Sequence, residues 1–258
     1  TLTENAQPAI MASSIAILRV LEQEFGFDLA KAASFVAGHS LGEYTALAAA
    51  RAFTLADTAK LLRLRGLAMQ KATPQGVGAM AAILGPDLDV VAQIAAEAAE
   101  GEVCSVANDN SPGQVVISGH KAAVERACEI AKEKGAKRAL LLAVSAPFHC
   151  SLMQPAADAM AEALAAATIQ APVVPLIANV SVEAVTNPAT IRELLVKQVT
   201  GQVRWRESVE FMKAQGVTET VEIGVGKVLT GLTRRIDKDL AATAITGVED
   251  LDAFAKAA

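Results

Sequence analysis

The chain has 258 residues, with 23 Lys and Arg against 28 Asp and Glu, giving a formal charge of −5 at pH 7. Hydrophobic residues make up 52% and charged residues 20%, enough for a sizeable core, which excludes a disordered chain. Mild acidity without Lys/Arg-rich runs argues against a nucleic-acid partner, and 3% aromatic content leaves little for stacking platforms. No apolar run approaches the roughly 20 residues that a membrane span needs. Cys104, Cys128 and Cys150 are odd in number and not spaced like metal ligands, so neither a disulfide framework nor a metal site is expected. With no signal peptide leading the chain, the cytoplasm is the expected compartment.

In chain order, a helix is expected over residues 8–25, with Ile10, Ile17, Leu18 and Leu21 near helical spacing. A short buried strand over 33–38 stops at Gly38, and Ala/Leu-rich residues 42–50 read as helix. Thr54 and Asp57 resemble a capping box that opens a helix through Lys71. Residues 80–84, 103–108, 114–118 and 138–144 read as strands, with helices at 87–100 and 121–134 between them. That order, β-α-β-β-α-β, is the split arrangement of a ferredoxin-like unit. It lies as one block inside a larger α/β pattern, so residues 76–142 read as an inserted subdomain within 1–75 and 143–258. A helix (154–167), a strand (174–179), a helix (188–199), a strand (220–223) and a helix (228–235) complete the layered α/β fold.

Gly38-His39-Ser40-Leu41-Gly42 fits G-x-S-x-G between an expected strand and an expected helix. A sharp strand-to-helix turn presents a serine hydroxyl at the strand's end, and the N–H of Leu41 points where an oxyanion would form. Three histidines could serve as its base. His39 adjoins Ser40 and should point away; His120 reads as a surface residue capping a helix. His149, in a proline-fixed loop after the last strand of the inserted block, is the best candidate for taking the Ser40 proton. Arg65 shares an apolar helix face with Leu61, Leu62, Ala68 and Met69. Spacing alone favours a snorkelling side chain with its head in water, the alternative being a guanidinium fork aimed at a carboxylate.

These residues, with Arg65-Gly66-x-x-Met69-Gln70, Asn110-Ser111-Pro112-Gly113-Gln114, Pro147-Phe148-His149, Gln198, Val203-Arg204-Trp205 and Glu222-Ile223-Gly224-x-Gly226-Lys227-Val228-Leu229, resemble the malonyl-CoA:acyl carrier protein transacylases. The resemblance runs in the family's order from near the first residue to about Arg235. It implies an α/β-hydrolase-like large subdomain with a ferredoxin-like insertion. It also implies a transferase of fatty acid biosynthesis that moves a malonyl group from malonyl-CoA to the phosphopantetheine thiol of acyl carrier protein. By resemblance Ser40 is the acylated nucleophile, His149 its base, and Gln198 supplies the backbone carbonyl that orients the histidine. Leu41 gives an oxyanion N–H, Arg65 holds the malonyl carboxylate, and Met69, Phe148 and Asn110 line the substrate site. No permanently bound cofactor and no metal are implied, and a monomer is expected.

Two departures stand out. Val225 replaces a common proline in a Gly-Pro-Gly turn. The family's leading strand and its Phe-Pro-Gly-Gln-Gly-type turn, whose glutamine gives a second oxyanion N–H, are not found, and Gln7, in the following helix, is no substitute. A serine hydrolase and a non-catalytic interaction module compete with the transferase. A hydrolase would draw a third triad member from Asp57, Asp87, Asp89 or Asp109. For an acidic carrier protein, Lys137, Arg138, Arg204 and Arg206 are the candidate basic patch.

Overall fold

The computed structural model describes residues 3–257. Helix α1 (Thr3–Phe25) turns Met11, Ile15, Leu18 and Leu21 inward. It lies against α4 (Leu55–Lys71) so closely that a Cβ on Gly66 would sit 2.6 Å from Cα of Glu4. Between them come α2 (Leu29–Ala32), β1 (Val36–Ala37) and α3 (Leu41–Ala49). Thr54 caps α4 as its sequence suggests, its Oγ1 accepting from the Asp57 N–H at 3.0 Å.

Residues 78–141 form β2 (Gly78–Leu84), α5 (Leu88–Ala99), β3 (Cys104–Ser111), β4 (Gln114–His120), α6 (Lys121–Glu133) and β5 (Arg138–Leu141). The strands lie in the order β3-β4-β2-β5, every neighbour antiparallel, which is the ferredoxin-like order. A core of its own, including Ile83, Ile94, Ile117 and Val124, fills the space between sheet and helices. His120 does not cap α6 through its side chain; its Nδ1 accepts from the Val103 N–H at 2.9 Å and ties β4 to the residue before β3.

The chain then returns through α7 (Gln154–Ala166), β6 (Leu176–Ile177), β7 (Ala184–Val185) and α8 (Pro188–Thr200). β1 pairs with β6 in parallel and β6 with β7 antiparallel, beside a core that includes Met11, Leu47, Leu62, Met160 and Leu195. The two expected strands at 33–38 and 174–179 are each only two paired residues long. Pro175 brings no donor to the ladder, and the chain bends into the Ser40 turn directly after Ala37. Last come α9 (Trp205–Ala214), β8 (Glu219–Ile223), α10 (Val228–Ile236), β9 (Ala241–Ile245) and α11 (Val248–Ala257), with β8 and β9 parallel. Helix α9 buries Trp205, Ser208, Val209 and Met212 at helical spacing. Interleaved Arg and Glu residues hide that stripe in the sequence.

Candidate active site

Ser40 sits between β1 and α3 with φ of 54°, a left-handed conformation that costs a non-glycine residue about 1–3 kcal/mol. Gly38 makes the turn possible, since a Cβ there would meet the Gly42 carbonyl oxygen at 1.9 Å. Gly42 itself faces open space, so only the first glycine of the motif is sterically required. Asn179 holds the turn from both sides: its Oδ1 accepts from the Ser40 N–H and its Nδ2 donates to the Gly38 carbonyl, each at 2.8 Å.

His149, in the loop after β5, places Nε2 2.8 Å from Ser40 Oγ. Its Nδ1 lies 2.9 Å from the Gln198 carbonyl oxygen and 3.1 Å from that of Gly201. Two acceptors at Nδ1 require the proton there, which leaves the Nε2 lone pair facing the serine. The orienting groups are carbonyls. Asp109, one of the four candidate triad acids, is instead paired with Arg206 through contacts of 2.8 and 2.9 Å. Burial first, and the Arg65 charge second, push the His149 imidazole down to about 3, so the ring is neutral at physiological pH.

Arg65 does not snorkel. The residue is 1% exposed, its guanidinium carbon 5.7 Å from the centre of the Tyr44 ring. NH1 donates to Gln7 Oε1 at 2.8 Å, and NH2 donates to Ser40 Oγ at 3.0 Å and to Gln198 Oε1 at 2.9 Å. The fork thus points at the nucleophile with neutral oxygens as its hydrogen-bond partners. Gln198 also works through its side chain, its Nε2 donating to the Ser40 carbonyl at 2.9 Å and to Glu43.

Leu41 opens α3 directly after Ser40, which sets its N–H at a helix N-terminus. Met69 is buried, its Sδ 3.8 Å from Gln7 Nε2, and Phe148 packs partly buried beside Met80, Ala107 and Val116. Asn110 bonds not to the serine but to its neighbour, its Oδ1 lying 2.8 Å from His39 Nε2, and the His39 ring leans on Trp205. Three buried polar residues at the site escaped the sequence reading as partners of these groups: Gln7, Glu43 and Asn179. Gln7 carries the one available signal, a polar side chain on the face of α1 that also bears Met11 and Ile15.

Of the candidate basic patch, Arg204 is spent on Glu207, and Arg206 on Asp109 and Glu210. Lys137 and Arg138 are exposed. Val225 is exposed between Gly224 and Gly226, whose φ values of 141° and 87° make the turn without a proline. Among the described residues no group of three or more His, Cys, Asp or Glu is placed to hold a metal ion.

The acyl transferase domain family matches residues 1–252. The malonyl CoA-acyl carrier protein transacylase of Escherichia coli (strain K12) is 53% identical over 243 residues, covering 94% of this chain and 77% of that protein. The enzyme of that name from Bacillus subtilis (strain 168) is 46% identical over 253 residues, 98% of this chain and 78% of that protein. Among solved structures, the acyl-carrier-protein-S-malonyltransferase of Bartonella henselae superposes with a TM-score of 0.97 at 56% identity, covering 100% of this chain and 82% of that one. A malonyl-transacylase solved in complex with a type II PKS acyl-carrier protein gives 0.96 at 47% identity, covering 100% and 82%.

Proposed function

The chain belongs to the acyl transferase domain family, and from that premise we propose a two-step malonyl transfer centred on Ser40. The enzyme moves a malonyl group from malonyl-CoA to acyl carrier protein. In the first step His149 Nε2 takes the Ser40 proton as Oγ attacks the thioester carbon. The C–S bond breaks, and the proton passes to the departing coenzyme A thiolate. In the second step the phosphopantetheine thiol of the carrier gives its proton to His149 and attacks the malonyl-serine ester carbon; the C–O bond to Ser40 breaks, and His149 returns the proton to Oγ. The Leu41 N–H faces the developing oxyanion. Arg65 takes the malonyl carboxylate in place of its neutral partners, in the bidentate form that a guanidinium favours.

The observation that carries this reading is the convergence of Arg65 NH2 and His149 Nε2 on one oxygen, Ser40 Oγ, at 3.0 and 2.8 Å. A general esterase has no use for a buried cation beside its nucleophile. Malonyl-CoA and the phosphopantetheine arm act as substrates, with no resident cofactor. We further propose a cytoplasmic monomer; among the described residues no helix is long and apolar enough to cross a membrane. We divide the chain into residues 76–142 and the remainder, 1–75 with 143–258, a division supported by the separate core beneath the four-stranded sheet. Labelling with radioactive malonyl-CoA followed by peptide mapping tests the proposal: label belongs on Ser40, and label on Cys150 or Cys104 instead would overturn it.

A further inference from the structure

Glu43 has no task in the transfer just described, yet it is fully buried one turn of α3 beyond the nucleophile. Its Oε2 accepts from Gln198 Nε2, while Gln198 Oε1 accepts from Arg65 NH2. One side-chain amide therefore separates the buried carboxylate from the buried guanidinium. Among the described residues Glu43 Oε1 has no hydrogen-bond partner, so a proton placed there displaces none. The groups facing Glu43 are Tyr44 on its own helix, Arg65 from α4, Gln198 from α8 and Asn179 from the loop after β6. Of these only Arg65 is charged, since burial raises the Tyr44 hydroxyl far above physiological pH.

We propose that Glu43 is the proton-balancing residue of the site, taking up a proton when a malonyl carboxylate occupies the Arg65 fork and releasing it when the acyl group leaves. The inference rests on the reading of Arg65 as the carboxylate's partner. With Glu43 ionised and the fork empty, the buried pair is neutral overall. A second carboxylate at Arg65 would leave a net buried negative charge, which is expensive, and a proton on Oε1 removes it. Burial already lifts Glu43 to about 7, against the opposing pull of Gln198 and Arg65, so the added anion acts on a group that is poised to respond. Acylation supplies no proton of its own: one O–C bond forms, one C–S bond breaks, and the serine proton ends on the thiol, which stays protonated below its pKa of about 8.5. Uptake from solvent therefore reports Glu43 and not bond exchange.

The test mixes the protein with malonyl-CoA in weak buffer containing a pH indicator at pH 7.5, while intact mass and peptide mapping count the ester on Ser40. Because a group at about 7 is already about one-quarter protonated at pH 7.5, uptake of about 0.3–0.7 proton per malonyl ester is expected by linkage. Less than about 0.1 is expected per ester formed with acetyl-CoA, or in Glu43→Gln with malonyl-CoA. Between pH 6.5 and 8 the malonyl-ester equilibrium should fall with rising pH by up to about tenfold per unit in the wild type and stay flat in Glu43→Gln. Only a titrating role moves that slope. If Glu43→Gln does not fold, the wild-type comparison of the two acyl donors decides. Ester formation without uptake, or with equal uptake for both donors, overturns this inference and leaves the transfer intact. Failure to form any ester on Ser40 overturns the transfer, and this inference with it.

Discussion

Arg65 NH2 and Ser40 Oγ are hydrogen-bonded at 3.0 Å, so the guanidinium lies against the nucleophile. Its other partners, Gln7 Oε1 and Gln198 Oε1, are neutral, which leaves a buried cation with no directly bonded anion among the described residues. A carboxylate carried in on the substrate can satisfy that cation, whereas an acetyl group cannot. Hydrogen bonds to charged groups contribute about 1.5–3 kcal/mol, so Arg65→Ala should lower kcat/KM for malonyl-CoA by about 10- to 150-fold. Its kcat/KM for acetyl-CoA should fall much less. Equal losses with the two thioesters would remove the carboxylate role.

The pH profile follows from His149. Burial and Arg65 hold its neutral form down to about pH 3, and only the neutral ring can accept the Ser40 proton. Malonyl-enzyme formation should therefore persist from pH 6.5 to 5, where an ordinary histidine of pKa about 6.5 would already be protonated. In Arg65→Ala the second largest of three lowering causes, after burial and ahead of the His39 charge, is gone, so the acid limb should move upward. Rapid-quench measurement of the ester across pH 4.5–8 reads both limbs, and an acid limb near 6.5 in the wild type would contradict the argument.

The turn around Ser40 was legible because its constraint is local: a strand ending, a glycine, a serine and a helix are consecutive in the chain. The ferredoxin-like block was legible for a similar reason, since its elements alternate within 64 contiguous residues, 78–141. Arg65 was not. Spacing gives its helical face but cannot tell whether that face ends at water or at another protein wall. Here the far wall is Gln7 and Gln198, 58 and 133 residues away in sequence. Glu43 and Asn179 were hidden for the same reason, their partners being set by tertiary contact alone. Arg204 and Arg206 looked like free cations until the structure brought Asp109, 97 residues distant from Arg206, against one of them.

That pair makes Arg206 a residue of folding. Asp109 is almost fully buried on β3, and Arg206 on α9 reaches it with Nε and NH2 while remaining partly exposed. Removing one member of a buried pair costs about 3–5 kcal/mol, and partial exposure places Arg206→Ala toward the lower end of that range. Burial already raises the Asp109 pKa against the pull of Arg206. Without the arginine it rises further, so the lost stability is fully felt at pH 7 and shrinks as Asp109 protonates on acidification. Urea unfolding at pH 7 and pH 4 should show a large and then a small difference from the wild type. An equal difference at both values would mean that Arg206 acts by packing and not by charge.

Lys137 and Arg138 are in the opposite situation, exposed at the start of β5, which is an edge strand of its sheet. Neither is needed to compensate a buried group, so reversing both charges should leave folding and malonyl-CoA loading unchanged. An acidic carrier protein docking on this edge would lose two attractions and gain two repulsions. Exposed pairs contribute about 0.2–1 kcal/mol each, and four such changes at about 0.2–0.5 kcal/mol put the loss in kcat/KM for carrier protein at roughly 4- to 30-fold at low salt. Because such pairs are screened over about 10 Å at 0.1 M salt, the wild-type rate should fall with ionic strength while that of the double variant Lys137→Glu/Arg138→Glu, freed from its repulsions, falls less or rises. Stopped-flow transfer from the malonyl-enzyme to carrier protein, measured across a salt series, isolates this step from loading. If both proteins keep the same salt slope, the carrier docks on another surface.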